Sequence, residues 1–246
     1  MIENRLVPYI PERFLRDENY RQWHISGVHP LPGVRIMGVH IPEMKKIASS
    51  FIKEGKGNEM LSSFSVEQKR DARAGLYYEE KQIWGMIINR LSISLDERLR
   101  YVQSFIPVID NWAVCDIFCA DAKWVLEDKT RVWKFLEGYF HSEKEFEVRF
   151  ALVMAMGYYL DAEHIEEIYK TISSIDYAGI QSEYEDLKMT PYYVYMAAGW
   201  LMATALYKLP EATRAFANSG KCPSEILKIY VRKAKESFRT KNTSPF

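Results

Sequence analysis

The sequence predicts an all-α protein, an α-solenoid of irregular helical repeats forming one curved domain over residues 1–246. Three observations carry that prediction. Apolar residues recur at helical spacing along most of the chain. Strand signals are almost absent, and helix pairs follow one another every roughly 35–45 residues, the spacing of stacked helical repeats. No composition shift or Gly/Ser/Pro-rich linker divides the chain, so a single domain is expected.

The elements follow in order. The N-terminal stretch MIENRLVPYIPERFLR carries charge throughout and reads as no signal peptide. GVHPLPGVRIMGV, residues 27–39, holds two prolines and three glycines and reads as a loop. Ile41-Pro42 opens a helix through Phe51, and Glu79 to Arg90 forms another. DNWAVCD, residues 110–116, lies in a core-like helix. Val132, Trp133, Phe135, Leu136, Tyr139 and Phe140 make one wide apolar stripe. Ser142 and Glu145 have capping-box spacing ahead of a helix that ends near Tyr159. Thr190-Pro191 predicts a hydroxyl cap with Pro at the first helical position, and that helix runs to about Tyr207. Pro210 opens the next helix, and Pro223 to about Arg239 is the last. The count is about a dozen helices of about 10–18 residues.

Composition narrows the function. Lys+Arg and Asp+Glu are 33 each, so nothing pushes the whole chain toward nucleic acid, and such a function needs a local basic face. Three cysteines are too few and odd in number for a disulfide framework. Tyr192 to Tyr207 carries no charge, but it is short for a membrane span and reads as a buried helix. The expectation is a soluble cytoplasmic protein with no membrane partner.

Familiar catalytic signatures are missing. There is no Gly-x-Gly-x-x-Gly, and Gly55-Lys56-Gly57 lacks the Lys-Ser/Thr of a phosphate loop. No nucleophile elbow appears. The five histidines have no metal-binding spacing, and Cys115 and Cys119 read as buried thiols, so neither a metal nor a cofactor is expected.

One constellation stands out. Trp112 and Asp116 are one helical turn apart and share a face. Trp200 sits among Ala197, Ala198, Gly199 and Ala203, small neighbours that leave its indole clear of its own helix. Arg149 interrupts the apolar run FEVRFALVM. Structural roles stand beside the functional ones: both tryptophans as core aromatics, Asp116 as a partner of Arg149 or a helix cap, Arg149 as an interhelical bridge. An Asp110/Asp116 acid pair is disfavoured, because six residues diverge by more than about 100° on one helix.

Four stretches carry a resemblance. NWAVCD (111–116) resembles the Trp-x-x-x-Asp segment of the AlkD-type DNA alkylation repair glycosylases, which are built of HEAT-like repeats. GVHIPEMKKIA (38–48), EVRFALVM (147–154) and AAGWLMATALYK (197–208) resemble that family's Gly-Ile-x-Thr-Pro-Glu-x-Arg-Lys, Arg-Ala-Ala-Ile and Ala-Ile-Gly-Trp segments, in the same order. The resemblance implies removal of cationic N-alkylated purines, of the 7-methylguanine and 3-methyladenine type, from double-stranded DNA. It implies that Trp112, Asp116 and Trp200 line the catalytic cleft and that Arg149 contacts the DNA backbone.

The chain also departs from that pattern. MAMGYYLD stands where active members carry lysines, and Ala203-Thr204 where they carry an arginine. Candidate DNA contacts are instead Lys228, Arg232, Lys235 and Arg239, at three- and four-residue spacing, together with Lys45 and Lys46. The competing expectation is a catalytically inactive HEAT-like module that binds DNA or a protein partner.

Overall fold

The computed structural model describes residues 2–71 and 75–246, with side chains for 2–64 and 75–246. Among the described residues the protein is all-α: fourteen α-helices and no strand, only an isolated bridge between Lys144 and Gln181. No helix is long and apolar enough to cross a membrane. The chain forms two compact units, Met1–Glu127 and Asp128–Phe246.

The first unit holds α1 (Glu3–Leu6), α2 (Glu12–Arg16), α3 (Glu18–Val28), α4 (Ile41–Lys53), α5 (Gly57–Asp71), α6 (Tyr78–Arg90), α7 (Leu95–Phe105) and α8 (Trp112–Ala120). Two of these, α1 and α2, are short turns within the charged N-terminal stretch, below the helix length the periodicity suggests. Helix α6 is the core element. Its Trp84 is fully buried, stacked on Phe64 with ring centroids 5.1 Å apart and set edge-on to Phe105 at 5.5 Å.

The loop predicted between α3 and α4 is held from beneath by a carboxylate. Glu79, on α6 and fully buried, accepts the backbone N–H groups of Met37 (3.0 Å), Gly38 (2.7 Å) and Val39 (3.2 Å). Gly38 has φ +80°, and an added Cβ would lie 2.3 Å from the Phe14 ring, so only glycine fits there. Burial pushes the Glu79 carboxyl above the usual glutamate range, and the three backbone donors pull against that shift.

A test follows. Glu79→Gln turns an amide NH2 toward loop N–H donors and is expected to cost about 1–3 kcal/mol. The folded pKa is raised, so the native state binds the proton more readily than the unfolded chain. Wild-type stability from this group therefore falls as pH rises from the ordinary glutamate value to the raised one. The gap between wild type and Glu79→Gln should narrow across that window in urea melts; a gap that widens contradicts the assignment.

The second unit holds α9 (Lys129–Phe140), α10 (Glu145–Tyr158), α11 (Ile165–Ser174), α12 (Tyr192–Lys208), α13 (Pro210–Ala217) and α14 (Ser224–Glu236). Helix α12 packs between α10 and α14. An added Cβ at Gly199 would meet Ile229 Cγ2 at 2.5 Å and the Tyr230 backbone N at 3.1 Å. The glycine beside Trp200 therefore lets α12 and α14 approach closely.

Two predicted caps are replaced by one long-range contact. Ser142 and Glu145 form no capping box, and the residue before α10, Lys144, makes no side-chain cap bond. Neither does α12 begin with a Thr190 cap and Pro191 at its first position. Pro191 is itself the cap residue, after a cis Thr190–Pro191 bond, and gives no side-chain cap. Instead the Glu145 carboxylate crosses from α10 and accepts the Tyr193 N–H at 2.6 Å, while its other oxygen takes the Ser182 hydroxyl at 2.6 Å. A free N–H of the first turn of α12 is thus satisfied from a different helix.

The last helix also stops earlier than predicted, at Glu236 and not about Arg239. Ser237 turns extended (ψ 127°), and the buried Thr240 hydroxyl donates to Ala234 O at 2.8 Å, satisfying a carbonyl that the helix end leaves open.

Candidate functional site

Helix α8 carries Trp112 and Asp116, and a buried polar chain fixes where it starts. Asn111 caps it, its side-chain oxygen accepting from Ala113 N and Val114 N at 3.0 Å each. The Asn111 amide donates to Asp110 Oδ1 at 2.9 Å, and Lys81 Nζ of α6 donates to Asp110 Oδ2 at 2.5 Å. The side chains of Lys81 and Asp110 are both fully buried. Asp110 is therefore a structural anion inside the first unit, and the acid pair with Asp116 does not form a shared exposed site.

Trp112 occupies the first helical position and keeps 38% of its surface exposed. Its indole N–H donates to Gly27 O at 3.2 Å, which ties the ring to the end of α3. The core-aromatic role does not describe a tryptophan this exposed. Asp116 follows one turn on, half-buried, with buried Cys115 and Cys119 beside it on the same helix. Asp121, just after α8, accepts from the Arg90 guanidinium at 2.6 Å.

In the second unit the bridge role describes Arg149. It is buried, with one guanidinium nitrogen donating to Tyr193 O at 2.9 Å and the guanidinium 5.5 Å from the Tyr193 ring centre. Tyr193 is thus gripped at both backbone groups, its N–H by Glu145 and its carbonyl by Arg149. Burial pushes the Glu145 carboxyl up, against the hydrogen bonds from Ser182 and Tyr193 and the charge of Arg149. This clamp sets the start of α12, and two turns further on stands Trp200, also 38% exposed.

Trp200 lines a cleft of about 430 Å³ with Tyr207, Phe238 and Arg239 among its walls. Of the other candidate cations, Lys228, Arg232 and Lys235 are exposed on α14, and Arg239 is exposed on the turn after it. Lys45 and Lys46 are exposed on α4, where Lys46 Nζ lies 2.9 Å from Glu43. Among the described residues no group of three or more His, Cys, Asp or Glu side chains is placed to hold a metal ion.

The composition hid several of these residues. Glu79, Lys81 and Gln82 belong to the run YEEKQ, which reads as a solvated face, yet all three are buried. Glu145 looked like a local cap. Phe238, inside the basic tail KESFRTK, had a signal: an aromatic among cations at the end of a charged helix.

A family model described as DNA alkylation repair enzyme matches residues 16–176, about two thirds of the chain. The matched span includes Trp112, Asp116 and Arg149, whereas Trp200 and α14 lie beyond it. No curated protein and no solved structure matches the chain.

Proposed function

Since the chain belongs to the family of DNA alkylation repair enzymes, we propose that it is a DNA glycosylase that removes cationic N-alkylated purines from duplex DNA. The observation that carries the reading is the pairing on α8: an exposed indole at the first helical position, anchored through its N–H, with a carboxylate one turn behind it.

The chemistry suits those groups. A purine alkylated on a ring nitrogen already carries positive charge, so it departs without being protonated and needs no general acid. As the N-glycosidic bond breaks, positive charge develops on the deoxyribose in an oxocarbenium-like transition state. Asp116 stabilises that charge and orients the attacking water, whose oxygen forms the new bond to the sugar carbon. The Trp112 face adds cation–π stabilisation of about 0.5–2 kcal/mol, and Trp200, in the second unit, is the further indole that the family resemblance assigns to catalysis. Lys45, Lys46, Lys228, Arg232, Lys235 and Arg239 are the cations offered to phosphates. Arg149 has a different part, holding α12 in place through Tyr193.

Because a cationic purine departs without a general acid, the leaving group gives a sharp test. Duplexes carrying one 7-methylguanine, a cationic leaving group, are compared with duplexes carrying one uracil, a neutral one that benefits from protonation as it leaves. Release of the modified purine with no release of uracil is expected. Equal release of both reveals an acid that this account does not contain. No release of either, with salt-sensitive duplex binding retained, favours the second reading, a non-catalytic DNA-binding module. The observation behind that alternative is that Trp112, Asp116 and Trp200 are kept while MAMGYYLD and Ala203-Thr204 stand where active members carry cations.

A further inference from the structure

The cleft beside Trp200 is lined by more than the indole that the proposed catalysis uses. Trp200, Ala203, Thr204 and Tyr207 line it from α12, at the spacing of a single helical face. Facing them are residues from the last turn of α14 and the segment that follows, Phe238 and Arg239 among them. Tyr207 is 57% exposed and Phe238 is 86% exposed. Large aromatic rings left this open on an anchored surface point to a ligand.

The segment bearing Phe238 is held at several points. Thr240 is buried and bonded to Ala234 O, the Tyr230 hydroxyl donates to Pro245 O at 2.7 Å, and Arg214 Nε donates to Ser244 O at 3.0 Å. The backbone on both sides of Phe238 is thus tied to α13 and α14 while its ring is turned outward.

Cations alternate with the rings. The Arg239 guanidinium lies 5.4 Å from the Tyr207 ring centre, and Lys241 Nζ lies 5.1 Å from that of Phe238. One carboxylate, Glu236, also lines the cleft, and its charge is offset by Lys233 at 3.1 Å and Arg232 at 3.8 Å. Flat apolar walls with a cationic rim fit a ligand that joins flat rings to negative charge. An apolar peptide would instead have to desolvate Arg239. The volume, about 430 Å³, sits near the small end of the roughly 300–1,000 Å³ typical of ligand pockets, which suits one nucleotide better than a longer segment.

We propose that this cleft is a binding site for an unpaired nucleotide of a DNA strand, its base stacked against Tyr207 and Phe238 and its phosphate on Arg239. The site would give the protein a preference for DNA with a locally open strand. It rests on the repair reading only in taking DNA as the ligand.

The test uses the full chain and three fluorescently labelled probes: a short single-stranded oligonucleotide, a base-free strand of the same length, and the intact duplex. Phe238→Leu and Tyr207→Leu are each compared with wild type by anisotropy, with thermal melts as a folding control. Each substitution is expected to weaken binding of the base-bearing single strand about ten-fold and to leave the base-free strand and the duplex unchanged. Unaltered affinity for the base-bearing strand overturns the proposal. So does an equal loss on the base-free strand, which makes the cleft a backbone contact. If the base-bearing strand alone loses affinity while wild type releases no 7-methylguanine, the cleft stands and the glycosylase reading fails. If release is intact and no probe responds, the reverse holds.

Discussion

Lys81→Met is expected to destabilise the first unit by about 3–5 kcal/mol, the largest stability effect of any single change considered. The side chains of Lys81 and Asp110 are fully excluded from solvent and 2.5 Å apart, so removing the ammonium leaves a buried carboxylate without its countercharge. The Asn111 amide still donates to Asp110, but a neutral hydrogen bond does not replace an ion pair in that setting. The damage extends to α8, because Asp110 orients the amide whose oxygen caps that helix. Asp110→Asn alone strands the ammonium instead. The double variant removes both charges and is expected to recover most of the loss, since buried pairs are often replaceable by neutral groups of similar volume. Urea titrations of the two single variants and the double variant decide the matter. A cost below about 1 kcal/mol for Lys81→Met is the value of a surface pair and contradicts the burial argument.

Much of the helical layout was legible in the sequence. The start at Ile41-Pro42, the end at Arg90 and the loop before α4 all appear where proline, glycine and the apolar period place them. What pattern could not reveal were contacts between residues far apart along the chain. Ser142 and Glu145 have the spacing of a local cap, but Glu145 is drawn to Tyr193, forty-eight positions away. Lys81 finds Asp110 twenty-nine positions away, in a run whose composition suggests a solvated face. The basic stripe continued past the true end of α14 because cations at four-residue spacing do not require a helix, and the backbone turns extended at Ser237.

The same limit shaped the site. Trp112 and Asp116 could be proposed together from the sequence because both lie on one short helix, where spacing alone places them on a shared face. Arg149 was seen as unusual within its apolar run, and its bridging role became clear only with Tyr193 O in view. Tyr207, Phe238 and Arg239 come together because the segment after α14 folds back to face α12, a return that no periodicity encodes.

The largest effect on activity is expected at Asp116. Asparagine keeps the shape of the side chain and removes the negative charge, and Asp116 is half-buried on an intact helix, so the fold should survive the change. Loss of a group aimed at charge that develops in the transition state typically slows the chemical step about 10²–10³-fold. Substrate binding, which depends on phosphate contacts elsewhere, should change little. The effect therefore belongs to the rate of bond cleavage and not to affinity. The decisive measurement is single-turnover release of 7-methylguanine from a duplex carrying one such lesion, at low salt and saturating protein, with wild type and Asp116→Asn side by side. Release by wild type well above the spontaneous rate, falling about 10²–10³-fold in Asp116→Asn at unchanged duplex affinity, is the predicted result. Release at the wild-type rate by Asp116→Asn, or none above the spontaneous rate by wild type, contradicts the account.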